Sequence, residues 1–196
     1  MTIIQDGTGK GYFVKVDDEN RLLTRTISDT TIIHESGQGN AWNINTQNIP
    51  VSASGESALL YFKNNGSNDA VISSLFIGIG TAGGSAFDNA LVRCYTNPTG
   101  GTLVSGGGTV TVVNRRIGSG KSFIYTVLSG SSGFTITGQA ATPVLYQTQT
   151  ASSRVAGDVN LTIPNGQSVA FTIDLKGAQP ANVYFGLAGY EKVTSG

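Results

Sequence analysis

Gly118-Ser119-Gly120-Lys121-Ser122 ends as a phosphate-binding loop ends, with a lysine for the outer phosphates and a hydroxyl for their metal ion. That chemistry also needs a glycine five positions before Gly120 and a helix opening after Ser122. Arg115 occupies the first place and residues 122–128 alternate as a strand, so a connecting loop is expected. Gly78-Ile79-Gly80-Thr81-Ala82-Gly83 matches G-x-G-x-x-G after a strand-like run. A dinucleotide site works because a helix N-terminus receives the pyrophosphate and an acid about 20 residues on holds the ribose. Here loop-like residues continue and no acid lies between Asp88 and Asp158, which predicts a flexible loop over 78–85.

His34 is the only histidine and Cys94 the only cysteine. One imidazole suffices for a Ser-His-Asp arrangement, but His34 stands in an irregular stretch beside Glu35 with no nucleophile motif near it. A zinc site needs several imidazoles or thiolates, and an intrachain disulfide needs a second cysteine. Cys94 is expected as a small buried apolar residue. Paired carboxylates could cleave glycans. Asp17, Asp18 and Glu19 crowd a turn, however, and Asp69, Asp88, Asp158, Asp174 and Glu191 are too scattered for spacing to pair them. Asn65 and Asn160 lie in N-x-[ST] triplets, which carry meaning only in a secreted chain. No catalytic residue, cofactor or metal ligand is expected.

The elements that must position any site are strands. Residues 168–175 place Val169, Phe171, Ile173 and Leu175 on one face and Ala170, Thr172 and Asp174 on the other, the pattern of a half-buried strand. Val159, Leu161 and Ile163 alternate before it, and Pro164-Asn165-Gly166-Gln167 predicts a tight hairpin turn between the two. Residues 57–63 and 70–79 flank the turn cluster 64–68. They carry apolar residues on both faces (Leu60 and Phe62 against Leu59 and Tyr61), as strands covered on two sides do. Further strands are expected over 90–96, 109–113, 122–128, 134–137, 143–147 and 182–191, with a second glycine-rich loop over 97–108. Helical spacing is almost absent. The fold class expected is all-β: an antiparallel β-sandwich or jelly roll over 41–196, after an N-terminal hairpin or arm over 1–40.

The 196 residues include 12 basic and 12 acidic side chains, a formal net charge of +0, and 39% hydrophobic residues. That apolar share suffices for a core, and the charge balance is not that of a disordered chain. Without a basic excess, nucleic acid is not expected as a partner. No apolar run approaches the about 20 residues of a membrane-spanning helix, so neither is a membrane. Residues 1–7 lack the basic start and apolar stretch of a secretory signal, and with one cysteine a reducing cytoplasm is the expected compartment.

The first forty residues differ from the rest. Residues 12–16 and 21–27 are strand-like around the polar turn 17–20, and residues 28–40 carry no sustained pattern. Lys10, Lys15, Arg21 and Arg25 gather here, and Tyr12, Phe13 and Trp42 are aromatics of the kind that anchor interfaces. Two readings stay open: an arm that reaches a partner, or an edge hairpin of the sandwich. On the first, Tyr12, Phe13, Lys15, Arg21, Arg25 and Trp42 are the candidate partner interface.

Asp6-Gly7-Thr8-Gly9-Lys10-Gly11, the apolar run that follows, and Asp17-Asp18-Glu19-Asn20-Arg21-Leu22 together form a recognisable pattern. It resembles the N-terminal segment of structural proteins of tailed-bacteriophage virions, D-G-T-G-x-G, a short strand, then D-x-x-N-R-L. Leu161-Thr162-Ile163-Pro164-Asn165-Gly166 leading into 169–175 is similar to the end of those proteins. The resemblance implies a virion component. More specifically it implies a head decoration (cement) protein on the outer surface of the capsid, whose partners are the major capsid protein and copies of itself, as a trimer. Such a protein passes through the host cytoplasm during assembly, and its family has no catalytic residues to carry over. Neck and tail proteins share the motif, so a neck, tail or receptor-binding role is the alternative. A carbohydrate-binding sandwich is the reading from another class.

Overall fold

Alternating apolar and polar residues let a strand bury one face while its backbone bonds to neighbours on both edges. In the computed structural model, which describes residues 31–53, 55–81, 90–98, 110–129, 140–148, 154–175 and 180–193, this produces eleven strands in two antiparallel sheets. The six-stranded sheet holds β1 (Ala41–Thr46), β2 (Ile49–Val51), β4 (Asp69–Thr81), β6 (Val110–Asn114), β9 (Arg154–Ile163) and β11 (Ala181–Lys192). Its order is β6-β1-β11-β4-β9, with β2 also paired to β11. The five-stranded sheet holds β3 (Glu56–Lys63), β5 (Ala90–Thr96), β7 (Thr126–Ser129), β8 (Ala140–Thr148) and β10 (Ser168–Asp174), in the order β7-β3-β10-β5-β8. The pairs β3–β10, β4–β9 and β5–β8 nest one inside the next, the way a jelly roll wraps. The chain is an all-β sandwich.

Between the sheets lie Phe62, Phe171 and Phe185, each at most 1% exposed, among buried Ile, Leu and Val side chains. Burying one such phenylalanine contributes about 2 kcal/mol. Val183, Phe185 and Leu187 of β11 face inward as their alternation predicts. Strand β10 departs from the half-buried pattern, because all seven of its residues are buried. It is a central strand, and on its outer face Ala170 packs with Tyr61, Ala58 and Leu128. In β3 the expected split of Leu59 from Leu60 also fails. A bulge opposite Phe171 and Thr172 leaves Leu59 unpaired in the register, and both leucines enter the core.

The expected hairpin over 159–175 is not a hairpin. Strand β9 pairs with β4 in one sheet, and β10 with β3 and β5 in the other. Gln167 N donates to Pro164 O at 3.1 Å, and only Gly166 of the two central residues takes a positive φ, 76°. That is a type II turn, whereas the hairpin types that match strand twist need a left-handed first central residue. The chain therefore crosses between sheets here, as it does between β3 and β4.

One element escaped periodicity altogether. Residues 28–40 carry no sustained pattern, yet Thr31–Gln38 is a helix, α1. It ends in a Schellman motif: Gly39 sits at φ 77°, Asn40 N donates to Glu35 O at 2.8 Å, and Gly39 N donates to Ser36 O at 3.1 Å. Eight residues are too few for an amphipathic stripe to declare itself. Residues 31–40, assigned above to the arm, fall in the same compact unit as the sandwich, which begins at Thr31. Gly78 to Thr81, expected in a flexible loop, are the end of β4 and pair with β11. Residues 122–125 lie outside the ladder of β7. The strands expected at 12–16, 21–27 and 134–137, and the loop over 99–108, lie outside the described residues.

Candidate functional site

Trp42 is the residue around which a site forms. It follows α1 on β1, directly opposite Asn114 of β6 and Gly189 of β11. A Cβ on Gly189 would stand 2.5 Å from the indole, so a side chain at 189 would exclude the ring. The ring stacks on Phe62 at 5.5 Å, meets Phe123 edge-on at 5.7 Å and lies 5.6 Å from Tyr125. Phe123 and Tyr125 arrive on the segment that crosses from β6 to β7, closing the sandwich at that edge.

This edge contains a pocket of about 250 Å³ bounded by Trp42, Asn40, Asn114, Lys121, Tyr125 and Glu191, with Phe123 and Ile124 on its wall. The rim is organised by hydrogen bonds. Asn40 Nδ2 donates to Glu35 Oε2 at 2.6 Å, and Lys121 Nζ donates to Asn40 Oδ1. Asn114 Nδ2 donates to Gly39 O at 2.8 Å, and Asn68 Nδ2 donates to Glu191 Oε1 at 2.7 Å. The floor is different. Trp42 Nε1 and Tyr125 Oη are buried and have no hydrogen-bond partner. Burial, then the negative charge of Glu191, push the Tyr125 phenol well above its ordinary value. The nearby indole N–H draws it slightly back, without the geometry of a hydrogen bond between the two. What the arrangement offers is hydrogen bonding to something that enters it.

The pocket also corrects the sequence-derived interface. Trp42, expected as a partner contact, is 4% exposed and belongs to the core; only its N–H edge reaches a cavity. Tyr12, Phe13, Lys15, Arg21 and Arg25 lie outside the described residues. Lys121, the lysine of the phosphate-loop pattern, is held by Asn40, and Gly118 occupies a turn that no helix follows. His34 is exposed on α1, and Cys94 is 2% exposed in the core, as a small apolar residue would be. Among the described residues, no group of three or more His, Cys, Asp or Glu could hold a metal ion.

Two further clusters were not legible in spacing. Strand register sets Asp174 opposite Glu56, and Arg93 Nη1 lies 3.4 Å from Glu56 and 4.0 Å from Asp174. Tyr95 Oη and Thr172 Oγ1 both donate to Glu56 Oε1, the former at 2.7 Å. Burial and the Glu56 carboxylate raise the Tyr95 phenol, partly opposed by Arg93. Both carboxylates lean on one guanidinium, an ion-paired tie across three strands. On the outer face of the six-stranded sheet, Phe76 and Tyr184 are 42% and 53% exposed, each paired in register with a glycine, Gly186 and Gly78. They flank a shallow groove of about 290 Å³ that Asn45 and Thr46 also line. Val113 and Ile117, on and just after edge strand β6, are 50% and 100% exposed. Comparison with protein-family models finds none that matches this chain, and comparison with curated proteins finds no match either.

Proposed function

We propose that this chain is a non-enzymatic structural protein of a tailed-phage virion. In this reading it decorates the head, binds the outer surface of the major capsid lattice as a trimer, and stabilises that lattice. The virion assignment is supported by the Asp6–Leu22 pattern and its resemblance to virion proteins. The binding part is supported by the exposed Phe76 and Tyr184 on a sheet face floored by glycines, since exposed aromatics over small residues are surfaces that other proteins cover. A protein that binds only the assembled lattice raises the force or temperature needed to part its subunits, by linkage.

The experiment adds purified chain to undecorated shells and images the particles. Occupancy at the symmetry of the capsid surface is the expected result, weakened by Phe76→Ser with Tyr184→Ser and lost on deleting residues 1–30. Density confined to the portal axis instead moves the protein to the neck or tail, because components there follow axial symmetry. No density on any particle refutes the virion reading.

A further inference from the structure

We infer that the pocket beside Trp42 is a binding site for one neutral, hydroxyl-rich ring: a hexose, free or at the end of a glycan. The inference is independent of the virion reading. It starts from the two buried atoms without partners, Trp42 Nε1 and Tyr125 Oη. Leaving such groups unpaired costs about 1–3 kcal/mol each, so a buried pair facing a cavity calls for an occupant. The indole is a donor only and needs an acceptor, while the phenol can donate or accept.

The other lining groups narrow the class. Lys121 contributes one positive charge and Glu191 one negative, so the described lining is neutral and a net-charged ligand gains nothing overall. A hydroxyl suits both signs. Its oxygen accepts from the indole N–H or the ammonium, and its hydrogen goes to the Glu191 carboxylate. No other common uncharged group presents several such oxygens around one small ring. The wall of Phe123 and Ile124 suits the C–H face of that ring. Size agrees: about 250 Å³ is room for roughly eight waters at about 30 Å³ each, below the range of drug-sized sites. The rim is built before the ligand arrives. Asn40 fixes Lys121, and Asn68 occupies Glu191 Oε1.

Trp42 is the only tryptophan, so the intact chain gives a single indole N–H resonance. Methyl glycosides of glucose, galactose, mannose and N-acetylglucosamine are titrated against it. At least one is expected to move it saturably in the millimolar range, while cyclohexanol, a ring with one hydroxyl, leaves it nearly still. Glu191→Gln is expected to weaken binding at least about tenfold and Tyr125→Phe several-fold, with the rest of both spectra unchanged. Oligosaccharides ending in the preferred sugar separate the two sources. Equal or tighter binding assigns the site to glycan ends, and loss of binding assigns it to the free sugar. If none of the glycosides moves the resonance through tens of millimolar, or if Glu191→Gln leaves the shift unchanged, the inference is overturned.

Discussion

Asn64 and Trp42 are about equally hidden from water, and their polar atoms have opposite fates. Asn64, 0% exposed, joins the two crossings between sheets. Its Nδ2 donates to Asn68 O at 2.9 Å and to Ile163 O at 2.8 Å, and its Oδ1 accepts from Gly66 N at 2.9 Å. Its backbone N donates to Gln167 O at 3.0 Å, and its O accepts from Gly166 N at 2.9 Å. Both amide hydrogens and the carbonyl of the side chain are used, so the β3–β4 turn and the β9–β10 turn are locked together. At the Trp42 edge the sandwich leaves an indole N–H and a phenol hydroxyl with nothing to bond. A buried polar group with all its partners holds a fold together. One without them costs stability, and is tolerated where something else is meant to meet it.

The largest expected effect comes from breaking the satisfied end. Asn64→Ala removes three side-chain hydrogen bonds and strands two carbonyls and an N–H, and should cost about 3 kcal/mol by urea unfolding. A loss under about 1 kcal/mol would mean that the junction is not what fixes the crossings. Gly189→Ala should come next, at about 2 kcal/mol. The new methyl would stand 2.5 Å from both Val71 O and the indole of Trp42. Its second readout bears on the comparison directly: shifting the indole should move the Trp42 fluorescence and leave the Asn64 turns untouched.

How much of this could be read from the residues depended on whether the information was local. Alternation in β5, β10 and β11 placed those strands almost to the residue, because burial of one face is written at every second position. Which strand pairs with which is not local. Pro164-Asn165-Gly166-Gln167 has hairpin composition, but the φ of Asn165 decides between turn types, and the bonds from Asn64 hold that geometry from 100 residues away. Helix α1 carried its stop, Gly39 before Asn40, without a run long enough to show a period. The pocket was invisible for the same reason as the Glu56–Asp174 pairing. Residues 42, 114 and 191 meet only through the registers of β1 with β6 and of β11 with β4 and β1. No spacing in the chain announces them.

A smaller effect appears at high pH. The Tyr125 phenol is held above its ordinary value of 10.0, and Tyr95 likewise. Above that value the unfolded chain loses these protons while the folded chain keeps them. Unfolding then releases protons, and stability must fall as pH rises. Below it both states are protonated and the contribution is constant. The urea midpoint is expected to be flat through the neutral range as far as these groups are concerned, and to drop beyond pH 10. In Tyr125→Phe the drop should be shallower. An equal drop in the variant would place the Tyr125 hydroxyl in water.

The smallest effect tests the comparison most severely. At neutral pH, Tyr125→Phe removes a hydroxyl that has no partner, so no bond is lost and no neighbour is stranded. Its unfolding free energy should match the parent to within about 0.5 kcal/mol, or exceed it, because a desolvated group has been removed without cost to any other. Asn64→Ala loses about as little volume from a comparably buried place and should cost several times more. If Tyr125→Phe instead loses more than about 1 kcal/mol, the phenol is bonded within the protein, with the Trp42 N–H as the nearest candidate donor. The two ends of the sandwich would then be alike, both serving architecture, and the pocket would have no floor for a ligand to meet.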